Sequence, residues 1–537
     1  MILDKDLLSI QEARNLAAKA KEAQLEYKHF SQQQVDKIIK AMAEAGYSAS
    51  EKLAKMACDE SGFGVYEDKI IKNQFSTKNV YKSIKNLKTV GIIAEEANGK
   101  VLKIAEPMGV MCALIPSTNP TSTAMFKALI SLKSRNAIVA SPHPKTSKCT
   151  VEALKILTEA AEKAGAPKGL IQCMSASTIE GTDALMRDKN ISVILATGST
   201  QMVKAAYSSG KPAYGVGPGN VPAFIERTAN YQKAVADIVY GTTFDNGTLC
   251  SSEQSMIVDL PLKEKVIEEA LSQGCYFVNA EEKQKLAKAI QTNLRINPDI
   301  VGKPATFIAN YAGFTVPENT KVLVAECNDV GKNEPLSIEK LSPVLSFYVV
   351  DGWLEGCHRC IDLLQFGGIG HTMVIHSNDE PIIMKFALEK PALRILVNTP
   401  ASVGAVGYTT ALEPSMTLGP GTWGGSIISD NVSAKHLLNI KSLAFETNPI
   451  NKGKSVDKFI LMDSYGKTQK YKGGKDWFIK EIEERLRERA GNLPLKDVYT
   501  YAEKEKPIEE KTEPIKPVTY GSGITEEEIK KIIEEFK

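Results

Sequence analysis

The residue with the most chemical potential is Cys250, in the segment FDNGTLCSSEQ between two apolar stretches. A thiol acts as a nucleophile when it is reachable and has donors nearby, and the Asn, Gly, Thr and Ser around Cys250 offer that setting. The competing reading is a core cysteine closed over by the flanking apolar runs. Asn119, in IPSTNPTSTAMF, lies where a strand-like run gives way to a helix-like one. Its carboxamide suits an anionic oxygen and equally well a helix cap. Gly198, Ser199 and Thr200, in ILATGSTQMVKAAY, repeat the strand-to-helix pattern and would seat a phosphate. They lack G-x-G-x-x-G spacing. In GVGPGNVP, with Gly215, Gly217 and Gly219, the prolines Pro218 and Pro222 prevent a helix from following directly, so the segment reads as a turn. The six histidines lack zinc-site spacing, and Cys357-His358-Arg359-Cys360 is a C-x-x-C without a second pair, so no metal site is expected. His371 and His376 bracket a strand-like run in GGIGHTMVIHS. Each reads as structural before catalytic.

The elements that must position these residues follow a clear rhythm. Residues 4–60 place apolar side chains at three- and four-residue spacings and are predicted helical. VGIIAEEANGKVLKIAEPMGVMCALIP, with Asn-Gly and Pro breaking its apolar runs, predicts a hairpin and then a buried strand. VMCALIP, NAIVASP, GLIQCMS, ISVILAT and PAFIE then alternate with helix-like segments. After Phe244 comes a second series, EQSMIVD, KVLVAE, SPVLSFYVV, HTMVIHS and RILVN. Apolar strands separated by helices mean α/β architecture with parallel sheets, here in two domains.

The chain has 537 residues, 43% hydrophobic and 24% charged, which suits two to four compact units. A formal charge of +2 without a basic patch argues against nucleic acid as the main partner. The start MILDKDLLSIQEARN lacks the apolar stretch of a signal peptide, and no apolar run approaches the roughly 18 residues of a membrane helix. Nine sparse cysteines fit a reducing, cytoplasmic setting.

Taken together and in order, several segments resemble the aldehyde dehydrogenase superfamily, in its CoA-acylating branch, and most of all the aldehyde dehydrogenase half of bifunctional aldehyde–alcohol dehydrogenases. They are EPMGVMCALIPSTNPTSTAMFKALISLKSRNAI, SPHPK, ILATGSTQMVKAAYSSGKPAYGVGPGN, TFDNGTLCSSEQS, EKLSPVLSFY, GGIGHTMVIHS, RILVNTPAS and LGPGTWGG, within roughly residues 5–445. The resemblance implies two doubly wound α/β domains, an oligomerisation hairpin and a C-terminal helical extension. It implies a dinucleotide-binding domain at 1–222, with the hairpin at about 97–109, and a catalytic domain at 223–415. Return strands at 416–448 would pair with the hairpin and make dimers or tetramers.

The resemblance also implies roles. Cys250 would attack an aldehyde, Asn119 and the Cys250 N–H would hold the oxyanion, and hydride would pass to NAD, with NADP left open. Ile115, Pro116, Ser117, Thr118, Ser141, His143, Gly198, Ser199, Gly217, Glu339 and Leu341 fall where the family meets the dinucleotide, Glu339 on the nicotinamide ribose, with Gly421 and Gly424 as an addition. Hydrolytic members place a water-activating glutamate just before L-G-G-K. Here that place holds Val216 or Gly217, so the acyl group would pass to CoA, with His371 a candidate to deprotonate its thiol. The K-P-x-E that holds the adenosine ribose is replaced by Ser141-Pro142-His143-Pro144, which implies looser binding there. The expected activity is reversible oxidation of acetaldehyde or propionaldehyde to acyl-CoA. The rival readings are a hydrolytic dehydrogenase and a non-catalytic scaffold.

The C-terminal region differs in kind. Residues 449–500 read as a charged helical extension, 501–520 as a Pro/Glu/Lys linker, and 521–537 as an amphipathic helix with a capping box at Thr525 and Glu528. The tail resembles the encapsulation peptides of bacterial microcompartment cargo. That implies a shell-protein partner for 521–537.

Overall fold

The computed structural model describes residues 4–292, 295–448 and 450, and the backbone of 460–462 and 468–470. The N-terminal helices are α1 (Lys5–Tyr27), α2 (Gln32–Ser48) and α3 (Ser50–Ser61). Asp4 caps α1 by accepting from the N–H groups of Asp6 and Leu7, and Ser31 with Gln34 forms a capping box on α2. Ala13, Ala17 and Ala20 line the buried side of α1, small enough to bring its backbone close to the sheet behind it. Helical structure does not stop at residue 61. α4 (Tyr66–Gln74) continues it, followed by a π-helical turn at Phe75–Asn79.

Strands β1 (Gly91–Glu96) and β2 (Val101–Pro107) form an antiparallel hairpin turning through Ala97 and Asn98, both at positive φ, and Gly99. The hairpin thus starts nearer residue 91 than 97. Its third strand comes from far along the chain. The expected return strands between 416 and 448 reduce to one paired strand, β15 (Leu438–Ala444), which runs antiparallel to β2. Residues 426–437 carry turns and a short 3-10 segment, because glycine and serine around 419–426 make close turns rather than an extended run.

The first large sheet is five-stranded and fully parallel, in the order β5-β4-β3-β6-β7, from β3 (Val110–Ile115), β4 (Ala137–Pro142), β5 (Ile171–Cys173), β6 (Ile191–Thr197) and β7 (Ala213–Val216). The order reverses between β3 and β6, which opens a crevice at their carboxyl ends, where residues 115–118 and 197–199 leave the sheet. The helix Pro120–Lys133, with proline at its first position, starts in that crevice and is buried along its whole length.

The second sheet has seven parallel strands in the order β10-β11-β12-β9-β8-β13-β14. These are β8 (Val221–Ile225), β9 (Glu253–Asp259), β10 (Cys275–Phe277), β11 (Val322–Glu326), β12 (Val344–Val350), β13 (Gly370–His376) and β14 (Ala392–Val397). This corrects one expectation. PAFIE, read with the first series, is β8 and lies in the second sheet, so a boundary after residue 222 would cut a strand. A wholly buried apolar strand carries no sign of which sheet it joins. The crossing itself is only residues 217–220.

The architecture is the expected α/β fold with two parallel sheets and a small antiparallel one. Within 449–500, residues 460–462 and 468–470 pair as two short antiparallel strands instead of helix. Phe459-Ile460-Leu461-Met462 is apolar and β-prone, with turn-favouring Asp463 and Gly466 after it. The charged run after residue 475, the linker 501–520 and the helix 521–537 lie outside the described residues.

Candidate active site

Two sheet edges face each other across the 217–220 crossing. One is the carboxyl edge of the five-stranded sheet, carrying residues 115–118, 197–199 and 216–217. The other is the amino edge of the seven-stranded sheet, carrying Asn220 before β8, Cys250 before β9, His371 at the start of β13 and Arg394 in β14. Backbone packing holds them together. A Cβ on Gly219 would overlap the Cys250 carbonyl oxygen and lie 3.1 Å from His371 Nδ1. One on Gly368 would overlap the Gly219 carbonyl, and one on Gly370 the Pro420 carbonyl. Gly219, Gly368 and Gly370 are therefore required by loops in direct backbone contact.

Cys250 is partly exposed. Burial of its sulfur pushes the thiol up to about 12, with Glu339 adding to the rise, while Arg394 and the N–H groups of Cys250 and Ser251 oppose it. Cys250, which sequence alone left between core and nucleophile, is thus partly exposed and packed against the core, among one carboxylate and one guanidinium. Glu339 accepts the Gly219 N–H at 2.7 Å, and burial pushes its carboxyl up to about 7. Leu341 takes a left-handed φ of 45° and its carbonyl accepts from the Gly302 N–H at 2.9 Å.

Asn119 precedes the buried helix but does not cap it with its side chain. Its Oδ1 accepts from Lys72 Nζ at 2.5 Å, and its Nδ2 donates to Thr118 Oγ1 at 3.1 Å and to the Thr248 carbonyl at 3.3 Å, two residues before Cys250. His371 is fully buried and stays neutral, since burial and the Arg394 charge hold it well below its ordinary value. Its Nδ1 lies 3.0 Å from Thr372 Oγ1, and its Nε2 has no partner among the described residues.

The residues read as dinucleotide contacts divide. Pro116, Ser117 and Thr118 are half-buried at the crevice, and Ile115 is buried beneath them. An added Cβ on Gly217 would meet open space, and Thr197 Oγ1 is buried there without a partner among the described residues. Open space and an orphaned hydroxyl at a switch-point crevice fit a bound dinucleotide. Gly198 sits beside the helix Thr200–Tyr207, whose N-terminus Ser199 caps by accepting from the Met202 N–H at 3.3 Å. Ser141 is committed to Thr182, Oγ to Oγ1 at 2.8 Å. His143 is exposed and accepts from the Lys145 N–H. Gly421 and Gly424 owe their lack of side chain to internal packing, against Leu393 and against Pro420 with the Ile369 carbonyl.

Two features escaped the sequence reading. Arg394 is buried, and its guanidinium donates to Thr372 Oγ1 at 3.2 Å and to the Gly419 carbonyl at 2.8 Å. The available signal was a charged residue on the same face of β14 as Ala392 and Leu396, the buried one. The other is α4, whose Lys69 and Lys72 enter the site from a helix that composition reads as a solvated surface.

Residues 6–323 match the aldehyde dehydrogenase family. The chain is 46% identical over 441 residues to the bifunctional aldehyde-alcohol dehydrogenase AdhE of Escherichia coli (strain K12), covering 81% of this chain and 50% of that one. It thus spans about half the length of the curated relatives it matches first. An acetylating aldehyde dehydrogenase from Geobacillus thermoglucosidasius superposes with a TM-score of 0.83 at 52% identity, over 84% of this chain and 100% of that one. A Rhodopseudomonas palustris propionaldehyde dehydrogenase, solved with bound CoA and an acylated cysteine, gives a TM-score of 0.74 at 27% identity, over 81% of this chain and 97% of that one.

Two outcomes test the geometry. Alkylation of Cys250 by iodoacetamide, followed by peptide mass, should accelerate about tenfold per pH unit from 6 to 9, because the thiolate is the reactive form. Glu339→Gln should raise that rate at fixed pH by removing the negative charge that opposes ionisation. Gly219→Ala should cut turnover by about 10²-fold, since its Cβ must displace the nucleophile's own carbonyl.

Proposed function

Because the chain belongs to the aldehyde dehydrogenase family, we propose that it catalyses the reversible oxidation of a short-chain aldehyde, acetaldehyde or propionaldehyde, to acyl-CoA. NAD is the proposed hydride acceptor and CoA the acyl acceptor. The observation that carries this reading is the pairing of a partly exposed Cys250 with a crossing that holds no carboxylate at Val216 or Gly217. The acylated cysteine and CoA described for the Rhodopseudomonas palustris protein support it.

Cys250 Sγ adds to the aldehyde carbonyl to give a thiohemiacetal. Its oxyanion is held by the backbone N–H of Cys250 and by Asn119 Nδ2, whose long 3.3 Å bond to the Thr248 carbonyl is the one most easily exchanged. A nicotinamide, when bound, would supply the hydride acceptor. Residues 115–118, Thr197 and Gly217 would hold that dinucleotide, with Glu339 beside it. An acyl thioester then remains on Cys250. Water attacks a thioester slowly without a general base, whereas a thiol is a far better nucleophile. His371, neutral and with an unpartnered Nε2, is proposed as the group that takes the CoA thiol proton.

The three-stranded sheet of β1, β2 and β15 is proposed as the oligomerisation surface for dimers or tetramers. Residues 521–537, outside the described part of the chain, are proposed to dock on a microcompartment shell protein. Among the described residues no helix is long and apolar enough to cross a membrane.

The decisive measurement is NADH formation with acetaldehyde and NAD, with and without CoA. Turnover should require CoA and vanish in Cys250→Ala, whereas sustained turnover without CoA would mean that water is activated by another group. In His371→Ala the first NADH equivalent should form at the normal rate while steady turnover falls by about 10² or more. A chain ending near Thr500 should keep full activity and lose co-sedimentation with shells; undiminished co-sedimentation would remove the docking proposal.

A further inference from the structure

Helix α4 turns its charged residues inward. Lys69 and Lys72 are 3% and 4% exposed, and Asp68 is half-buried beside them. All three converge on Asp245, a fully buried carboxylate in the FDNG turn. Asp68 Oδ2 accepts the Asp245 N–H at 2.7 Å. Asp245 Oδ1 accepts the Val65 N–H at 2.6 Å. Its Oδ2 accepts from Lys69 at 3.0 Å, from Thr248 Oγ1 at 2.6 Å and from Lys72. The turn needs fastening. Asp245 and Asn246 sit at φ 49° and 52°, a region that non-glycine residues rarely adopt, and Gly247 follows at 71°. A Cβ on Gly64 would overlap Asp245 Oδ1, so the α3–α4 connection also closes directly over the carboxylate.

Lys72 links this turn to Asn119. An ammonium has three protons and no acceptor, and here each proton has a partner: Asp245 Oδ2, Thr248 Oγ1 at 3.2 Å and Asn119 Oδ1 at 2.5 Å. Since Lys72 can only donate, the atom of Asn119 that faces it must be the oxygen. The carboxamide nitrogen is thereby turned the other way, toward Thr118 and the Thr248 carbonyl. Burial pushes the amine down to about 8, but Asp245 beside it keeps it charged at neutral pH, and burial of Asp245 is outweighed by Lys72 and Lys69, which hold its carboxyl below the ordinary value.

We propose that Lys72 is a positioning residue for acyl transfer: bound to Asp245 and Thr248, it fixes which end of the Asn119 amide faces the nucleophile loop and at what distance. The inference rests on the acylating reading above. It gives α4 a functional task, to measure the gap between an oxyanion donor on one domain and the cysteine on the other.

The test is a double-mutant cycle in kcat for CoA-dependent NADH formation, with Lys72→Met, Asn119→Ala and both together. Lys72→Met should lose about tenfold or more in kcat, with the KM for aldehyde and CoA changed by less than about threefold. In the Asn119→Ala background the same substitution should cost less than about threefold further, because the group it positions is gone. A merely structural lysine would impose its full cost in both backgrounds. A Lys72→Met enzyme within about threefold of the wild-type kcat, or a larger further loss in the double variant, overturns the proposal. If Lys72→Met does not fold, Thr248→Val, which removes the hydroxyl from the same cluster at equal size, carries the cycle under the same criteria. A wild-type chain without CoA-dependent turnover would instead refute the reaction, not the positioning.

Discussion

No side chain fits where the 217–220 crossing meets the loop that carries Cys250. That contact, backbone of Gly219 against the carbonyl of Cys250, is the constraint on which the site depends. It brings the last residues of one parallel sheet against the first residues of another. The crossing is too short to contribute a pocket wall of its own. Much of what surrounds Cys250 therefore comes from elements that already end there: 367–370 before β13, the 419–425 turn, and Glu339, which grips the Gly219 N–H.

This geometry explains the uneven electrostatics. Strand carboxyl edges and helix starts gather polar groups suited to a dinucleotide, and the open face of Gly217 lies on that side. The amino edge of the second sheet instead holds a buried charge, Arg394, whose hydrogen-bond partners are neutral. Arg394 bonds carbonyls and a hydroxyl, with no carboxylate among its hydrogen-bond partners in the described residues, and its charge reaches both Cys250 and His371. It favours the thiolate while keeping the imidazole neutral. Glu339 works the other way on the thiol. A cysteine held between these two resists ionising until something alters the balance, such as neutralisation of Glu339 or the approach of an electrophilic carbon.

Much of the fold was legible because strands and helices leave periodic marks. Runs such as VMCALI and HTMVIH, with helical spacing between them, specify parallel sheets whatever the details of packing. What the pattern could not carry was membership: β8 looks like any buried strand, and only its pairing with β9 and β13 assigns it to the second sheet. The candidate site was legible where a residue type is unusual for its surroundings, as with Cys250 among Asn, Gly and Ser. It was illegible where the type is ordinary. Lys72 in YEDKIIKNQ looks like one more charge on a surface helix, and its burial follows from Asp245, 173 residues away. Ser199 and Ser141 show the converse, since their hydroxyls are spent on a helix cap and on Thr182.

The buried ions of α4 raise the question of why a charged cluster should be kept where apolar residues would pack as well. Buried ion pairs seldom gain stability over apolar replacements of similar size, because desolvation offsets the attraction. What they supply is direction. A methyl group at the end of residue 72 could fill the same volume, but it would leave the Asn119 amide free to present either its oxygen or its nitrogen to the cleft. An ammonium with all three protons assigned admits one orientation only. Asp245 is required for the same reason, since without its charge the buried amine would be far easier to deprotonate and could then accept as well as donate. The left-handed residues of the FDNG turn complete the logic: their strained backbone places a carboxylate five residues before Cys250, within reach of both lysines. On this argument the energy spent on burying Lys69, Lys72 and Asp245 is returned as a fixed amide.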